Sequence, residues 1–526
     1  MKQILILTAF LCGGLLPVSA FDLTLRQRQA IAGESNGHQM VFRPEIWNPK
    51  ETAVIVCDMW DAHHCLNATE RGKELVPRMN AVLQAARDAG AMIIHAPSSC
   101  LDFYKEHPAR KRALAAAKAS NMPQGITDWL YWLDAREESA GYPVDASDGG
   151  EDDDLAAHKA WAKELKTMGR NPRSPWIRQA AGLEIDPERD AITDHGEENW
   201  NLLEQGGIKN VILVGVHLNM CVLGRPFGLR QMVKNGKNVV LMRDMTDTMY
   251  NPKMPPNVSH FHGTDLVVQH VETYICPSIT SDQLLGGEPF HFAKDPRQHL
   301  VILIAEKEYR TLETLPVFAE STLQKDFRLT VVTADPKTPN HFISGQAIAS
   351  ADVLFVSVRR RALSWQQLGL VQNHVAAGKP IIGIRTASHA FSLRGKPAPA
   401  GHAIWEDFDS DVWGGHYTGH HGNKIKSFAR IIVASNTHPI LRGVDAKEFG
   451  TGGSLYQVQP LRKTTDVLVM GRAGSIKPHE PVAWTNHTAA GGRAFYTSLG
   501  HMDDFKTPQF TTMLTNAVYW VANKQR

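Results

Sequence analysis

The sequence predicts an α/β protein with two domains, each a parallel sheet flanked by helices. The chain has 526 residues, whereas a single hydrophobic core rarely grows beyond about 250 to 300 residues. Apolar runs at residues 53–57 and 210–216 are typical of buried strands. After residue 298 the pattern restarts, with apolar runs at 300–304, 329–333 and 353–358 and a helical segment between the first two. Such alternation of strands and helices favours parallel sheets.

The break between the two domains is predicted at residues 278–298. This stretch contains Gly286-Gly287, Pro289 and Pro296 and has no sustained apolar period, which is typical of a linker. It places the first domain at residues 45–277 and the second at residues 299–526.

The start of the chain predicts export. Met1-Lys2 is followed by an apolar stretch at residues 4–16 and then by Val18-Ser19-Ala20, the pattern of a secretory signal peptide at residues 1–20. The apolar stretch is shorter than the roughly 20 residues that span a bilayer; an uncleaved membrane anchor is the alternative. We therefore expect a periplasmic or extracellular protein with no membrane span after cleavage.

The net charge indicates which class of partner to expect, and the cysteine count indicates whether a free thiol is present. A formal net charge of +2 gives no reason to expect nucleic acid or a membrane surface, so a small molecule is the expected partner. Without Cys12, which leaves with the signal peptide, five cysteines remain. An odd number leaves at least one thiol unpaired, as a nucleophile requires, and five are too few for a disulfide scaffold.

Cys221 is the leading candidate for that nucleophile. It follows the apolar run 210–216 in Val-Gly-Val-His-Leu-Asn-Met-Cys-Val, residues 214–222, which predicts a strand, a short turn and a helix over residues 222–234. A helix N-terminus makes a thiol there more acidic and its thiolate more available. A small core cysteine is the alternative interpretation.

Asp58 ends a second predicted strand, Ala53-Val-Ile-Val-Cys-Asp58. Open α/β sheets place their chemistry at the carboxyl ends of strands, so Asp58 and Cys221 are expected to meet over one crevice, where the carboxylate can take the thiol proton. Alternatively, Asp58 caps or orders the loop that follows.

Together the two segments resemble the isochorismatase-like cysteine hydrolase family, from about residue 52 to about residue 277. This resemblance implies a three-layer sandwich in which Cys221 is the nucleophile and Asp58 the base of a Cys, Asp and Lys triad. It also implies a cis peptide bond between Val216 and His217, which aims the backbone N–H groups of His217 and Cys221 at an oxyanion.

The lysine of that triad is missing. Where the family pattern has it, the chain reads Asp190-Ala-Ile-Thr-Asp-His-Gly-Glu-Glu198. We expect His195 to supply a cationic partner instead, with Arg178 and Arg189 as alternatives. A protein that kept the fold and the thiol but lost the triad would bind a ligand without turning it over.

Asp61-Ala-His-His-Cys65 follows Asp58, and His95 ends the apolar run at residues 91–95. Imidazole and carboxylate groups are good ligands for zinc or iron, so a divalent metal is one interpretation, although no cofactor is firmly indicated. The other is a polar cleft rim with solvated histidines. His63 and His95 are candidates for substrate contact.

Residues 98–187 form a long excursion between two predicted core strands. It contains Trp129-Leu-Tyr-Trp132 and the acidic stretch Asp152–Asp154, to which we assign no metal. An excursion of this length is too long for a plain loop. We expect it to form small helices that cover the cleft or make the contact of a homo-oligomer.

The second domain has a strand, tight turn and helix pattern at residues 377–389. It resembles the nucleophile elbow of class I glutamine amidotransferase-like domains, a flavodoxin-like fold. A glutaminase has cysteine at the elbow, but this chain has Arg385. A guanidinium group cannot attack an amide, so glutamine hydrolysis is excluded.

Within that superfamily, residues 297–526 resemble ThuA-like, trehalose-utilisation-type domains. The resemblance depends on His438-Pro-Ile-Leu-Arg-Gly443, on Pro481-Val-Ala-Trp484 and on Gly491-Gly-Arg-Ala-Phe-Tyr-Thr-Ser-Leu-Gly-His501. It implies an association with carbohydrate metabolism and hence a carbohydrate as a candidate partner.

The binding candidates in this domain are Arg385, His389, His416 and His501. Aromatic and imidazole groups suit a sugar face and its hydroxyls, and glycines near residues 414–422 let the backbone approach a ligand. Two or three of the histidines could instead hold a metal, or the glycine and histidine pattern could be a structured loop.

Two functions of different class remain open. One is an exported thiol hydrolase that cleaves a small amide or related C–N bond through Cys221. The other is a catalytically decayed two-domain protein that binds a carbohydrate or related small molecule. The missing lysine and elbow cysteine favour the second; Asp58 and Cys221 in their motifs favour the first.

Overall fold

The computed structural model describes residues 20–31, 38–432 and 437–526. The predicted signal peptide, apart from Ala20, lies outside these residues. The chain forms two compact units. Within the described residues, the first unit comprises residues 20–23, 44–134 and 153–247, and the second comprises 24–31, 38–43, 135–152 and 248–526, without 433–436.

The elements are named in chain order. The strands are β1 (Phe21–Ala30), β2 (His38–Trp47), β3 (Thr52–Cys57), β4 (Met92–Ala96), β5 (Ala191–Ile192), β6 (Asn210–Val216), β7 (Asn238–Asp247), β8 (Ser278–Ile279), β9 (Gln298–Ala305), β10 (Phe327–Thr333), β11 (Val353–Val358), β12 (Leu363–Ser364), β13 (Ile381–Ile384), β14 (His402–Ala403), β15 (Gly419–His420), β16 (Ser427–Ile431), β17 (Phe449–Thr451), β18 (Tyr456–Gln457), β19 (Asp466–Ala473), β20 (Glu480–His487) and β21 (Arg493–Thr497). The α-helices are α1 (Leu66–Ala89), α2 (Pro108–Ala115), α3 (Ala135–Ala140), α4 (Leu155–Thr167), α5 (Gly196–Gln205), α6 (Leu229–Lys234), α7 (His260–Tyr274), α8 (Asp282–Leu285), α9 (Thr311–Thr322), α10 (Trp365–Ala376) and α11 (Pro508–Val521).

The first unit contains a parallel sheet in the strand order β7-β6-β3-β4-β5. Every residue of the central strands β3 and β6 is buried, as the continuous apolar runs predict for a sheet covered on both faces. Because parallel strands end at the same edge, Asp58 after β3 and His217 after β6 emerge side by side.

The predicted helix over residues 222–234 is not continuous. A π-helical turn at Leu218–Val222 carries Cys221, and α6 begins only at Leu229. Pro226 has no backbone N–H to continue the helix, and Gly228 is the N-cap of α6. Cys221 therefore lies in a short π-turn, a feature often found at functional sites, and not at the N-terminus of a long helix.

Part of the long excursion packs over this turn. The Leu130 N–H donates to the Gly224 carbonyl at 2.9 Å, and the Gln231 side chain donates to the carbonyls of Gly125 and Asp128, both at 2.8 Å. The excursion thus covers the segment after Cys221, one of the two roles expected for it.

The second unit contains a sheet in the order β10-β9-β11-β13-β21-β20-β19-β16-β17. The first five strands are parallel, as predicted, but β20, β19, β16 and β17 are antiparallel to their neighbours. The connections from β19 to β20 and from β20 to β21 are short, and a parallel neighbour would need a crossover of a dozen or more residues. Among the described helices, none is long and apolar enough to cross a membrane.

Candidate active site in the first unit

Asp58 is the first residue after β3 and lies at the floor of the candidate site. Its φ is +45°, a conformation that costs energy for a residue with a Cβ and that clusters at functional sites. The carboxylate is fully buried. One oxygen accepts the Ser98 N–H at 2.7 Å, and the other accepts the Nε–H of Arg225 at 3.2 Å.

The Cys221 thiol lies close enough to Asp58 and Arg225 for both groups to affect its pKa. The Cys221 residue is buried, with 8% of its surface exposed. The structure thus brings together the two residues singled out in the sequence, and it adds a cation.

The pKa of the Cys221 thiol differs from the value that the sequence led us to expect. Burial raises the pKa of the Cys221 thiol, the Asp58 carboxylate raises it further, and Arg225 lowers it. Burial also raises the pKa of Asp58, against Arg225 and the hydrogen bonds from Cys221 and Ser98. The helix-based prediction of an acidic thiol is therefore wrong, and the sulfur needs a base to become a nucleophile.

Arg225 is the candidate site residue that sequence reasoning missed. It lies four residues after Cys221, and its backbone N–H donates to the Cys221 carbonyl at 3.0 Å, so both side chains leave one turn on the same side. The guanidinium lies 5.3 Å from the ring centroid of Trp129 in the excursion. The i, i+4 spacing was visible in the sequence, but the family pattern directed attention to the segment near residue 190.

His217 begins the turn, and its peptide bond with Val216 is cis, as the family resemblance implies. The His217 ring contacts His63 edge-on, with ring centroids 4.9 Å apart. His63 in turn is stacked with Trp60 and Trp176, whose own centroids are 4.5 Å apart. An aromatic wall therefore adjoins the cysteine turn.

His63 belongs to this wall as a neutral group. It is 7% exposed, and its Nδ1 accepts the Cys65 N–H at 3.2 Å. Burial lowers its pKa well below the usual value, and the neighbouring imidazoles of His217 and His64 act in the same direction. His63 can offer hydrogen bonding and stacking to a substrate, but not a charge.

His195 does not supply the expected cation. It is the N-cap of α5, its side chain is 60% exposed, and its Nε2 lies 3.4 Å from Asp194. Arg178 and Arg189 are engaged by Asp61 and Asp186. The position beside the carboxylate is held by Arg225 instead, because the turn after Cys221 reaches Asp58 directly.

His95 is a structural histidine and not a substrate contact. It is fully buried in β4, with Nδ1 3.0 Å from Gln179 Oε1 and Nε2 3.0 Å from Asp190 Oδ2. Arg87 also donates two hydrogen bonds to Asp190. Burial raises the pKa of Asp190, but these hydrogen bonds outweigh that effect and lower the pKa to about 2.

The cluster around Asp61, His63, His64 and Cys65 does not form a ligand set. Among the described residues these side chains do not place three ligand atoms near a common point. Asp61 accepts a hydrogen bond from Arg170 at 2.7 Å, and Cys65 is the N-cap of α1. His63 is buried, so the alternative of a cleft rim with solvated histidines does not describe this cluster either.

In the second unit, Arg385 occupies the elbow with a φ of +47° but points into the protein. It is 2% exposed and donates to the carbonyls of Ser454 and Ser498 at 2.9 and 2.7 Å. Its guanidinium carbon lies 4.5 and 4.2 Å from the ring centroids of Tyr309 and Tyr456. The expected binding role is replaced by a structural one, since its surroundings are protein groups.

The remaining candidates of this unit separate into two places. His389 and His416 line one cleft of about 430 Å³. His501 does not line it; its Nδ1 accepts the Asp503 N–H at 3.2 Å, and its ring contacts Tyr309 edge-on. Of the four residues expected to bind a ligand here, two therefore share a cleft.

Comparison with known proteins assigns the second half of the chain. Residues 299–521 match the family model ThuA, described as trehalose utilisation. This match confirms the resemblance seen in the motifs of this part of the chain. Among similar solved structures is a ThuA-like protein from Bacteroides uniformis. It is 17% identical, with a TM-score of 0.34, and the match covers 45% of this chain and 95% of that one.

Similar structures also include a cysteine hydrolase from Pseudomonas syringae pv. phaseolicola, with 16% identity, a TM-score of 0.27 and coverage of 45% of this chain and 92% of that one. An isochorismatase family protein from Burkholderia thailandensis is 17% identical, with a TM-score of 0.20 and coverage of 38% and 80%. These family names are those that the Asp58 and Cys221 segments resemble. No curated protein sequence matches the chain.

Proposed function

We propose that the chain is a cysteine hydrolase that cleaves the C–N bond of a small amide through a thioester on Cys221. The observation that carries the proposal is the convergence of a thiol, a buried carboxylate and a guanidinium at the carboxyl ends of β3 and β6. A nucleophile beside a base, with a third group that orients the base, is the general arrangement of covalent catalysis.

In the first step Asp58 takes the thiol proton as the sulfur attacks the amide carbonyl carbon. The raised pKa of Asp58 brings a carboxylate closer to the working range of a general base. The negative charge lies on the Asp58 carboxylate before the proton transfer and on the Cys221 sulfur after it. Because Arg225 lies beside both groups, it stabilises the carboxylate and then the thiolate.

The tetrahedral oxyanion is stabilised by the backbone N–H groups of His217 and Cys221. Asp58 then returns the proton to the leaving nitrogen, the C–N bond breaks, and a thioester remains. Water, deprotonated by the same carboxylate, attacks the thioester; the acid is released and the thiol regains its proton. The excursion residue Trp129, packed on Arg225, helps to keep bulk water from the charged pair.

The test uses p-nitrophenyl acetate as an acyl donor and nicotinamide, benzamide and acetamide as amide substrates. We expect a burst of nitrophenolate, an acetyl group on Cys221 by mass spectrometry, and ammonia release from at least one amide. Cys221→Ala should abolish all three. Cys276→Ala is the matched control, because Cys276 is also buried but lies in the second unit.

Absence of acetylation at Cys221, or equal acetylation in Cys221→Ala, would refute covalent catalysis and leave the ligand-binding alternative. Ammonia release without a Cys221 adduct would assign the reaction to other residues.

We further propose that this reaction takes place outside the cytoplasm. The support is the charged, apolar and small-residue pattern of residues 1–20. Cell fractionation with N-terminal sequencing of the mature protein tests it, and a mature chain that begins at Met1 would contradict cleavage.

A further inference from the structure

The cleft that holds His389 and His416 belongs to the second unit and takes no part in the proposed hydrolysis. Its volume of about 430 Å³ lies at the small end of the range of about 300 to 1,000 Å³ typical of small-molecule sites. Its lining carries charges of both signs: the arginines Arg360 and Arg394, and the carboxylates Glu406, Asp407 and Asp409.

Arg360 and Arg394 are the two arginines of the lining. Both have positive φ, +50° and +58°, a backbone conformation that is unusual for a residue with a Cβ. Arg360 donates to the Ser392 carbonyl at 3.1 Å. Among the described residues, neither guanidinium is ion-paired with a carboxylate. Burial lowers the pKa of Arg360, and the nearby Arg394 lowers it further, whereas Tyr417 and Glu406 raise it.

His389 also lines the cleft, near these arginines, and is neutral. Burial lowers its pKa to about 2, and Arg360, Arg359 and Arg394 act in the same direction. Its ring lies against Tyr417 with centroids 4.4 Å apart, and its Nδ1 lies 3.0 Å from the Ser388 hydroxyl. A neutral imidazole beside an aromatic ring suits a hydroxyl group and the apolar face of a sugar.

Asp409 and His416 lie beside each other in the same lining. Asp409 is 6% exposed and accepts the N–H groups of Ser410 and Tyr417 at 2.7 and 2.8 Å. His416 Nδ1 lies 3.4 Å from the same carboxylate. Glu406, also in the lining, has both oxygens engaged by Ser392, Leu393 and Gly395, so it does not neutralise the arginines by direct pairing.

We propose that this cleft binds a sugar that carries an anionic group, with the anion at Arg360 and Arg394 and the hydroxyls at His389, Asp409 and His416. A carboxylate and a phosphate share the chemistry that a guanidinium recognises. The ring stacks on Tyr417, and the carboxylate of Asp409 accepts hydroxyl protons. The site is independent of Cys221.

Isothermal titration of the Cys221→Ala protein tests the proposal without interference from turnover. The probes are glucuronate, glucose 6-phosphate, glucose, and acetate or inorganic phosphate alone. We expect glucuronate or glucose 6-phosphate to bind at least about tenfold more tightly than glucose, because a charge-assisted hydrogen bond contributes about 1.5–3 kcal/mol. Which of the two anionic sugars binds more tightly identifies the anionic group.

Arg394→Gln should weaken the anionic sugar by about five- to tenfold and leave any glucose binding unchanged, since the side chain is exposed and its charge partly screened. His389→Ala should weaken both sugars. Arg472→Gln is the matched control, because Arg472 in the same unit is exposed and paired with Glu448. Equal affinity for glucuronate, glucose 6-phosphate and glucose, equal affinity for the small anions alone, or no binding by any sugar would overturn the proposal.

Discussion

Asp58 and Arg385 occupy equivalent places in two different sheets. Each is the first residue after a buried parallel strand, and their φ angles are +45° and +47°. Asp58 lies beside a thiol and a guanidinium, whereas Arg385 is enclosed by two carbonyl oxygens and two tyrosine rings.

The difference shows that a strained backbone conformation at the end of a strand fixes where a side chain lies but does not by itself indicate a reaction. In the first unit the position puts an acid beside a thiol, as the proposed hydrolysis requires. In the second unit the same backbone turn directs a cation inward, where it links residues 309, 454 and 498. The four following tests ask whether this contrast holds.

The largest effect is expected for Asp58→Asn. Turnover should fall about 10²- to 10⁴-fold, the usual contribution of a general base. The thiol should nevertheless become easier to ionise, because Asp58 raises the pKa of Cys221. Stopped-flow thiol labelling across pH measures the second effect, with Asp88→Asn as the control at an exposed carboxylate. Unchanged turnover would remove Asp58 from the mechanism.

Arg225→Gln should reduce turnover about 10- to 100-fold, since hydrogen bonds to charged groups contribute about 1.5–3 kcal/mol. Arg225 lowers the pKa of Asp58, so its loss raises that pKa and moves the acid limb of the pH–rate profile to higher pH. Arg225→Lys keeps the charge and should recover part of the rate. A profile that stays in place in Arg225→Gln would show that the guanidinium does not act on the carboxylate.

Arg385→Met should destabilise the second unit by about 3 kcal/mol, because it leaves two buried carbonyl groups without donors. Urea unfolding measures the change, and Cys221 labelling in the native protein should be unaffected. Arg472→Gln, at an exposed arginine of the same unit, should change stability by no more than about 0.5 kcal/mol. A stable Arg385→Met protein with impaired turnover would give the elbow arginine a functional role after all.

The smallest effect is expected for His195→Ala. Its ring is largely exposed and paired with Asp194, so turnover should remain within about twofold, as is usual for surface positions. A steady-state assay across pH 5 to 9 decides the point. A loss comparable to that of Arg225→Gln would restore His195 as the cation of the triad.

The sequence predicted the α/β class, the restart of the second sheet and the two strand ends that carry Asp58 and Cys221, and the structure confirms the fold class. It did not reveal the antiparallel strands β16, β17, β19 and β20, because short turns rather than apolar periodicity set their direction. It placed His95 in a binding role, since a strand-end histidine looks the same whether its partners are a substrate or Gln179 and Asp190.

By itself the sequence determined where each strand stops and which side chain stands there, because apolar runs and turn residues act over a few neighbours. Only the tertiary structure decided that Arg225 meets Asp58 across 167 residues and that Arg385 is enclosed. It also decided that burial makes the Cys221 thiol less acidic. These outcomes depend on which distant groups share a low-dielectric interior, and charge interactions and desolvation there depend on three-dimensional distance rather than on separation along the chain.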